Sequence, residues 1–236
     1  MTQHQHISQG SRPRYAIIVA GGKGLRMGSS VPKQFLLLDG RPVLYYSVRA
    51  FTALYPDIHI ILVHAPGDEP LIAEVTRYFP RRQFTLVEGG TVRFASVKNG
   101  LAAVGGDSLV FIHDGVRPLV TPELILRCER VALEKGNAIP ATELKETIRS
   151  IEGLTSFSED RTRFRAMQTP QTFLSEVILK AFGQPYDPAF TDEASVLEKT
   201  GVPVHLVEGD YRNLKITRPE DLALAEILLD GAKGAP

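Results

Sequence analysis

A chain of 236 residues with 43% hydrophobic side chains can bury a sizeable core in one large domain or two small ones. Its 27 Lys and Arg balance 27 Asp and Glu, which argues against a general nucleic-acid binder and leaves any attraction for anions to local groups of cations. The single cysteine, Cys128, excludes a disulfide framework, and no apolar run is long enough to span a membrane.

The first fourteen residues, "MTQHQHISQGSRPR", are polar and lack the apolar core of a signal peptide. They read as a disordered tail, with His4 and His6 part of it rather than a metal site. With the lone cysteine, this predicts a cytoplasmic protein. A domain over residues 15–230 follows. Short β-branched runs recur at "YAIIVA" (15–20), "IHIILV" (58–63), "FTLV" (84–87) and "SLVFIH" (108–113). Between them, Val43, Leu44, Val48, Phe51 and Leu54 form one helical apolar face, and Phe94, Val97, Leu101 and Val104 another. Thr121-Pro122 before "ELILRCERVAL" predicts an N-cap and a first-turn proline, on a helix where Cys128 is a small buried hydrophobe. Strands alternating with helices predict βαβ units, a mainly parallel sheet and helices on both faces, an α/β fold.

The rhythm lapses over residues 137–165, which are more polar, with Glu152-Gly153 a turn between "ETIRSI" and "LTSFS". A β-arm at about 139–163 is expected there. A helix is predicted from about Leu174, then another with Thr191 as N-cap. The chain closes with "NLKITRPEDLALAEILL", read as a strand and then a helix capped by Thr217 with Glu220 three residues on.

The motif with most chemistry is "AIIVAGGKGLRMGSSVPKQF" (16–35). In an open parallel sheet, ligands bind beyond the carboxyl ends of strands, where this loop sits. Ala20, Gly21, Gly22 and Gly24 let backbone N–H groups turn toward phosphate oxygens, while Lys23, Arg26 and Lys33 add charge and no carboxylate opposes them. A P-loop is excluded because Lys23 is followed by Gly24. A dinucleotide fingerprint is excluded because Met27 replaces the third glycine.

The pattern from Gly22 through Met27, followed by Pro32-Lys33-Gln34, resembles the sugar- and polyol-phosphate nucleotidylyltransferases. Within them it is most similar to the 2-C-methyl-D-erythritol 4-phosphate cytidylyltransferase family of the non-mevalonate isoprenoid pathway. The resemblance continues through "EGGTVRFASV" (88–97), "HDGVRP" (113–118), "TPQTF" (169–173), "TDEAS" (191–195) and "NLKITRPEDL" (213–222). It implies a Rossmann-like three-layer sandwich with a protruding β-arm. It implies transfer of CMP from CTP to a polyol phosphate with release of pyrophosphate. It also implies Mg²⁺ at Asp114 and a homodimer clasped by the arm. Arg26 and Lys33 match the family's transition-state cations. Gly89, Gly90, Ser96 and Gly115 join the glycine loop at the nucleotide. Asp114, Arg117, Thr147, Arg161, Thr169, Thr191 and Lys215 match the polyol side, where Arg161 and Lys215 position the attacking phosphate. Thr147 and Arg161 would reach the neighbouring subunit's site. Lys23 has no match and reads as a solvated neighbour. The chain departs from the family's usual residues at Val19, Gly21, Thr91 (usually acidic) and Gly115-Val116 (usually paired alanines). A ribitol 5-phosphate cytidylyltransferase shares most of these blocks. A nucleotide-binding module without catalysis is the reading from another class, and intact Arg26, Lys33, Asp114 and Lys215 count against it.

Overall fold

A computed structural model describes residues 12–22 and 31–233. The predicted N-terminal tail lies largely outside these residues, but its last part does not dangle. Arg12 pairs with Asp107 at 2.7 Å, and β1 already begins at Arg14 (Arg14–Val19). The hairpin strands β2 (Leu37–Leu38) and β3 (Arg41–Pro42) turn through Asp39 and Gly40, both at positive φ as such a two-residue turn requires. Then come α1 (Val43–Leu54), β4 (His59–His64), α2 (Glu69–Thr76), β5 (Phe84–Glu88), α3 (Arg93–Leu101), β6 (Leu109–Asp114), α4 (Pro122–Lys135) and β7 (Asn137–Glu143). The second half holds β8 (Arg149–Glu152), β9 (Thr155–Ser158), β10 (Arg165–Met167), β11 (Gln171–Leu174), α5 (Ser175–Ala181), α6 (Glu193–Glu198), β12 (Leu206–Glu208) and α7 (Pro219–Lys233).

The central sheet runs β10-β7-β11-β6-β1-β4-β5, with β12 also paired to β7. The pairs β6–β1, β1–β4 and β4–β5 are parallel, as the alternation of strands and helices demands. The inner strands are apolar on both faces because both faces are covered. Ala16 and Ile18 face α1 and α4, meeting Leu44, Phe51, Ile125 and Cys128. Ile17 faces the other way, toward Phe94 and Val97 of α3 and Ile178 of α5.

Four local expectations are corrected. The segment Asn137–Glu143 belongs to the central sheet, its first five residues buried, so the projecting arm is the shorter piece around β8 and β9. Its turn falls at Gly153 as expected, with Glu152 opposite Thr155. Residues 213–217 form no strand. They are an extended strap held by Ile216 N–H on the Val116 carbonyl at 2.9 Å, because Val116 already lies past the end of β6 and offers no ladder to join. The cap of α6 is Asp192, not Thr191: the Asp192 carboxylate accepts from Ser195 N–H and the Ser195 hydroxyl accepts from Asp192 N–H. At α7, Asp221 rather than Glu220 reaches back, accepting from the N–H groups of Thr217 and Arg218 at 2.8 Å each, while the Thr217 hydroxyl turns to Lys215 O. Carboxylates win at both ends because a charged acceptor suits the positive end of a helix better than a hydroxyl. At α4 the expected cap holds, with Thr121 accepting from Leu124 N–H.

The cap assignment at α6 is directly measurable. Asp192→Ala should cost about 1 kcal/mol, lowering the thermal midpoint by roughly 2–4 °C for a domain of this size. Thr191→Ala should leave the midpoint where it is.

Candidate active site

A cavity of about 790 Å³ opens beyond the carboxyl ends of the parallel strands. The chain after β1 supplies Ala20, Gly21 and Gly22. The turn after β5 supplies Gly89 and Gly90, and the tip of β6 supplies Asp114. Lys33 and Lys215 arrive from outside the sheet. Gly24 and Arg26, with Lys23, lie outside the described residues.

The near wall is built of backbone. Gly89 N–H donates to His64 O at 2.8 Å, and Gly90 N–H donates to the Ser96 hydroxyl at 3.0 Å, which itself donates to Val92 O. A Cβ on Gly90 would fall 2.4 Å from that of Ala95, so the turn packs flat on the first turn of α3 only as glycine. This turn presents an uncharged ledge of backbone to the cavity. Gly115 does not line the cavity. It packs beneath the loop, where a Cβ would meet Leu44 at 2.9 Å and Val19 O at 3.1 Å.

The far wall is charged. Lys33 sits in a 3₁₀ turn (Lys33–Phe35) and donates from Nζ to Ile216 O at 2.9 Å, tying the opening loop to the strap. Its neighbour Gln34 donates to Ala20 O at 2.6 Å, fixing the loop's first residue. Asp114 is buried among three cations: Lys215 Nζ at 3.0 Å, Arg117 Nε at 3.3 Å and Arg93 Nη2 at 3.4 Å. Burial alone would raise its pKa. The charges of Arg93, Lys215 and Arg117 outweigh that and hold it well below the usual carboxylate range. It is therefore ionised at any physiological pH.

Behind Asp114 lies a tier of fixed hydrogen bonds. The His113 Nε2–H donates to Arg117 O at 3.1 Å, which leaves Nδ1 to accept the Thr169 hydroxyl at 3.0 Å. That same hydroxyl accepts Asp114 N–H at 3.1 Å. Arg117 donates to Asn213 O at 2.8 Å, and Asn213 donates to Thr169 O at 2.8 Å. Thr169 and Arg117, expected at the substrate, are buried and aimed at the protein. They set where Asp114 points. Lys215, next to buried Ile216 and with an exposed side chain of its own, lines the cavity and reaches Asp114.

The remaining expected residues are not gathered here. Thr147 and Arg161 are exposed on the arm, Arg161 donating to Lys145 O, and neither lines the cavity. Thr191 is exposed beside the α6 cap, its N–H on the Ser195 hydroxyl. The sequence reading missed Arg93, which lines the cavity and bridges Asp114 to buried Glu193. Both residues lie inside motifs already singled out, "EGGTVRFASV" and "TDEAS", but beside other charged residues, Glu88 and Asp192, so nothing local marks them as a pair. His113 and Asn213 were missed because a buried polar residue cannot be told from a solvated one without its neighbours.

Residues 15–231 match the family model described as IspD, 2-C-methyl-D-erythritol 4-phosphate cytidylyltransferase. A 2-C-methyl-D-erythritol 4-phosphate cytidylyltransferase of Bacteroides thetaiotaomicron is 45% identical over 214 residues, covering 90% of this chain and 98% of its own. A crystal structure of 4-diphosphocytidyl-2C-methyl-D-erythritol synthase from Anaerococcus prevotii superposes with a TM-score of 0.79 at 30% identity, covering 93% of this chain and 99% of that one. The Thermus thermophilus cytidylyltransferase gives a TM-score of 0.72, also at 30% identity, over 91% of this chain and 98% of its own. The Rossmann-like fold is thus shared.

Burial pushes the His113 pKa down to about 4, more strongly than neighbouring Asp114 pulls it up. In the unfolded chain the imidazole titrates near 6.5, so below that pH the unfolded state binds the extra proton. Stability should be full above about pH 6.5 and fall as pH drops toward 4, by on the order of 3 kcal/mol from this one group. Chemical denaturation as a function of pH should show this slope, and His113→Gln should flatten it.

Proposed function

The chain belongs to the 2-C-methyl-D-erythritol 4-phosphate cytidylyltransferase family, and from that premise we propose that it transfers CMP from CTP to 2-C-methyl-D-erythritol 4-phosphate. An oxygen of the polyol's phosphate attacks the α-phosphorus of CTP. The new P–O bond forms as the bond to the β-phosphate's bridging oxygen breaks, and pyrophosphate leaves with that electron pair. The products are 4-diphosphocytidyl-2-C-methyl-D-erythritol and pyrophosphate.

The observation that carries the reading is the division of one cavity into a glycine ledge and a cationic wall. The attacking phosphate is already an anion, so no strong base is required. The task is to bring two anions together and stabilise charge at the α-phosphate. Gly89, Gly90 and Ser96 suit the cytosine and ribose. The backbone of Ala20 to Gly22 suits the phosphates. Lys33, held from behind by Ile216 O, suits a preorganised donor at the reacting phosphorus, the role that the family resemblance also gives Arg26. Lys215 sits where it can hold the polyol's phosphate.

Mg²⁺ fits the donor chemistry: one ionised carboxylate, Asp114, facing a cavity that receives a triphosphate is the pattern magnesium uses. When bound, the ion would offset negative charge on the phosphates. The cytoplasm suits a chain whose single cysteine, Cys128, can form no disulfide within it.

A homodimer accounts for Thr147 and Arg161, which stand on the arm away from their own chain's cavity. The hairpin β8–β9 exposes Ile151, Leu154 and Phe157, and a two-stranded ribbon of this kind needs a partner surface. Laid against a second copy, it would bring both residues to the neighbour's polyol site.

Purified protein with Mg²⁺ and methylerythritol phosphate should release pyrophosphate from CTP in preference to ATP, GTP or UTP, and with ribitol 5-phosphate much more slowly. Equal turnover on the four nucleotides would remove the cytidine assignment. Lys33→Ala should lower kcat by roughly 10²–10³-fold. A rise in KM alone would reduce Lys33 to a binding residue.

Mixing Arg161→Ala chains with Lys33→Ala chains should restore part of the activity, because one site in each mixed dimer regains both side chains. Light scattering establishes the dimer and confirmed subunit exchange validates the mixture. A fully active monomer, or no recovery after exchange, would refute the shared site.

A further inference from the structure

Glu193 is 1% exposed, and its Oε2 has no hydrogen-bond partner among the described residues. Its other oxygen takes Nη1 of Arg93. Burying a carboxylate for one ion pair is a poor route to stability, since desolvation offsets most of the attraction. The placement is nevertheless rigid. Asp192 caps α6, and Gln171 ties that turn down by donating to Asp192 Oδ2 at 2.8 Å and accepting Ala194 N–H at 2.9 Å.

The consequence shows at the opposite edge of the guanidinium. Arg93 Nη2 stays 3.4 Å from Asp114 Oδ1, long for a charge-assisted contact, while Lys215 reaches Oδ2 at 3.0 Å. An arginine fork with no other anion in reach would seat both donors on the nearest carboxylate. We propose that Glu193 is a positioning residue that holds Arg93 back from Asp114, leaving one oxygen of that carboxylate available to the divalent cation that accompanies the nucleotide. This rests on the assignment of Asp114 to the metal made above. The site thus keeps a strong cation beside its metal ligand without letting that cation occupy it.

The test uses Mn²⁺ as probe, its binding to the intact protein with saturating CTP followed by the electron paramagnetic resonance of free Mn²⁺. Steady-state Mg²⁺ dependence is measured in parallel. Glu193→Gln keeps the shape and removes the charge. It should weaken Mn²⁺ binding by roughly 10- to 100-fold, the usual effect of losing a partner behind a metal ligand. Much of kcat should return at high Mg²⁺. In Glu193→Gln/Arg93→Gln the competing guanidinium is gone, and Mn²⁺ affinity should recover toward wild type. A merely structural Glu193 predicts the reverse, with the double variant no better than the single. If the single variant fails to fold, the double variant, which replaces the pair by two amides, decides alone: weak Mn²⁺ binding there overturns the proposal. Asp114→Asn separates the two levels. Weakened Mn²⁺ binding in Asp114→Asn with unchanged binding in Glu193→Gln overturns the inference only, and unchanged binding in both overturns the metal assignment beneath it.

Discussion

The site depends on one carboxylate kept charged where burial opposes it. Asp114 stands at the tip of the most buried strand, and an unpaired anion there would be costly. Arg93, Arg117 and Lys215 make it tolerable, and each comes from a different part of the chain. Arg93 opens α3, Arg117 follows β6, and Lys215 lies on the strap before α7. Satisfying Asp114 therefore draws two remote segments, those of Arg93 and Lys215, to the end of one strand, where Arg117 of the following turn joins them. The cavity is what remains between them.

The rest of the fold can be read as holding that meeting point still. The β6 tip is fixed, because its last N–H is taken by Thr169 from the link between β10 and β11 and the preceding imidazole is held at both nitrogens. The strap is not a strand, yet its Ile216 is bonded through N–H to Val116 and through its carbonyl to Lys33. The two lysines that line the cavity, Lys33 and Lys215, are thus positioned by the same few residues. Moving either requires moving the other, a coupling that suits a reaction in which two phosphates must be aligned.

Much of this was legible in the sequence, and unevenly so. The parallel strands were readable because runs such as "IHIILV" are short, β-branched and spaced between helical patterns, which favours strands buried on both sides. The opening glycine loop stood out because glycines and cations gather there with no carboxylate, and of its residues Ala20 to Gly22 and Lys33 line the cavity. What failed were choices between adjacent residues of similar capacity. Asp192 and Thr191 can both cap, as can Asp221 and Glu220, and the outcome depends on where the helix axis falls by less than one turn. The strap read as a strand because alternation of Leu214, Lys215 and Ile216 is common to strands and to any extended segment packed on one side. Arg93 and Glu193 escaped because an ion pair separated by 100 residues in sequence leaves no local trace. Family resemblance supplied roles for Thr169 and Arg117, but only coordinates show that their polar atoms face the protein.

The arm poses the complementary problem, a segment whose own chain gives it too little to pack against. β8 and β9 pair only with each other, and Ile151 at 70% and Phe157 at 48% exposure place apolar surface in water. At its root the chain is firmly held, since β7 and β10 pair within the central sheet. A rigid root and an unsatisfied tip describe a lever rather than a loose loop. Arg161 is fastened near the root by Lys145 O and by the Asp160–Thr162 turn, so its place follows the lever's angle rather than its own rotamers. If a second copy covers the apolar tip, the same contact that removes that surface from water fixes the guanidinium's position. Assembly and the completion of the polyol site would then be one event, driven by burial of side chains that take no part in the chemistry.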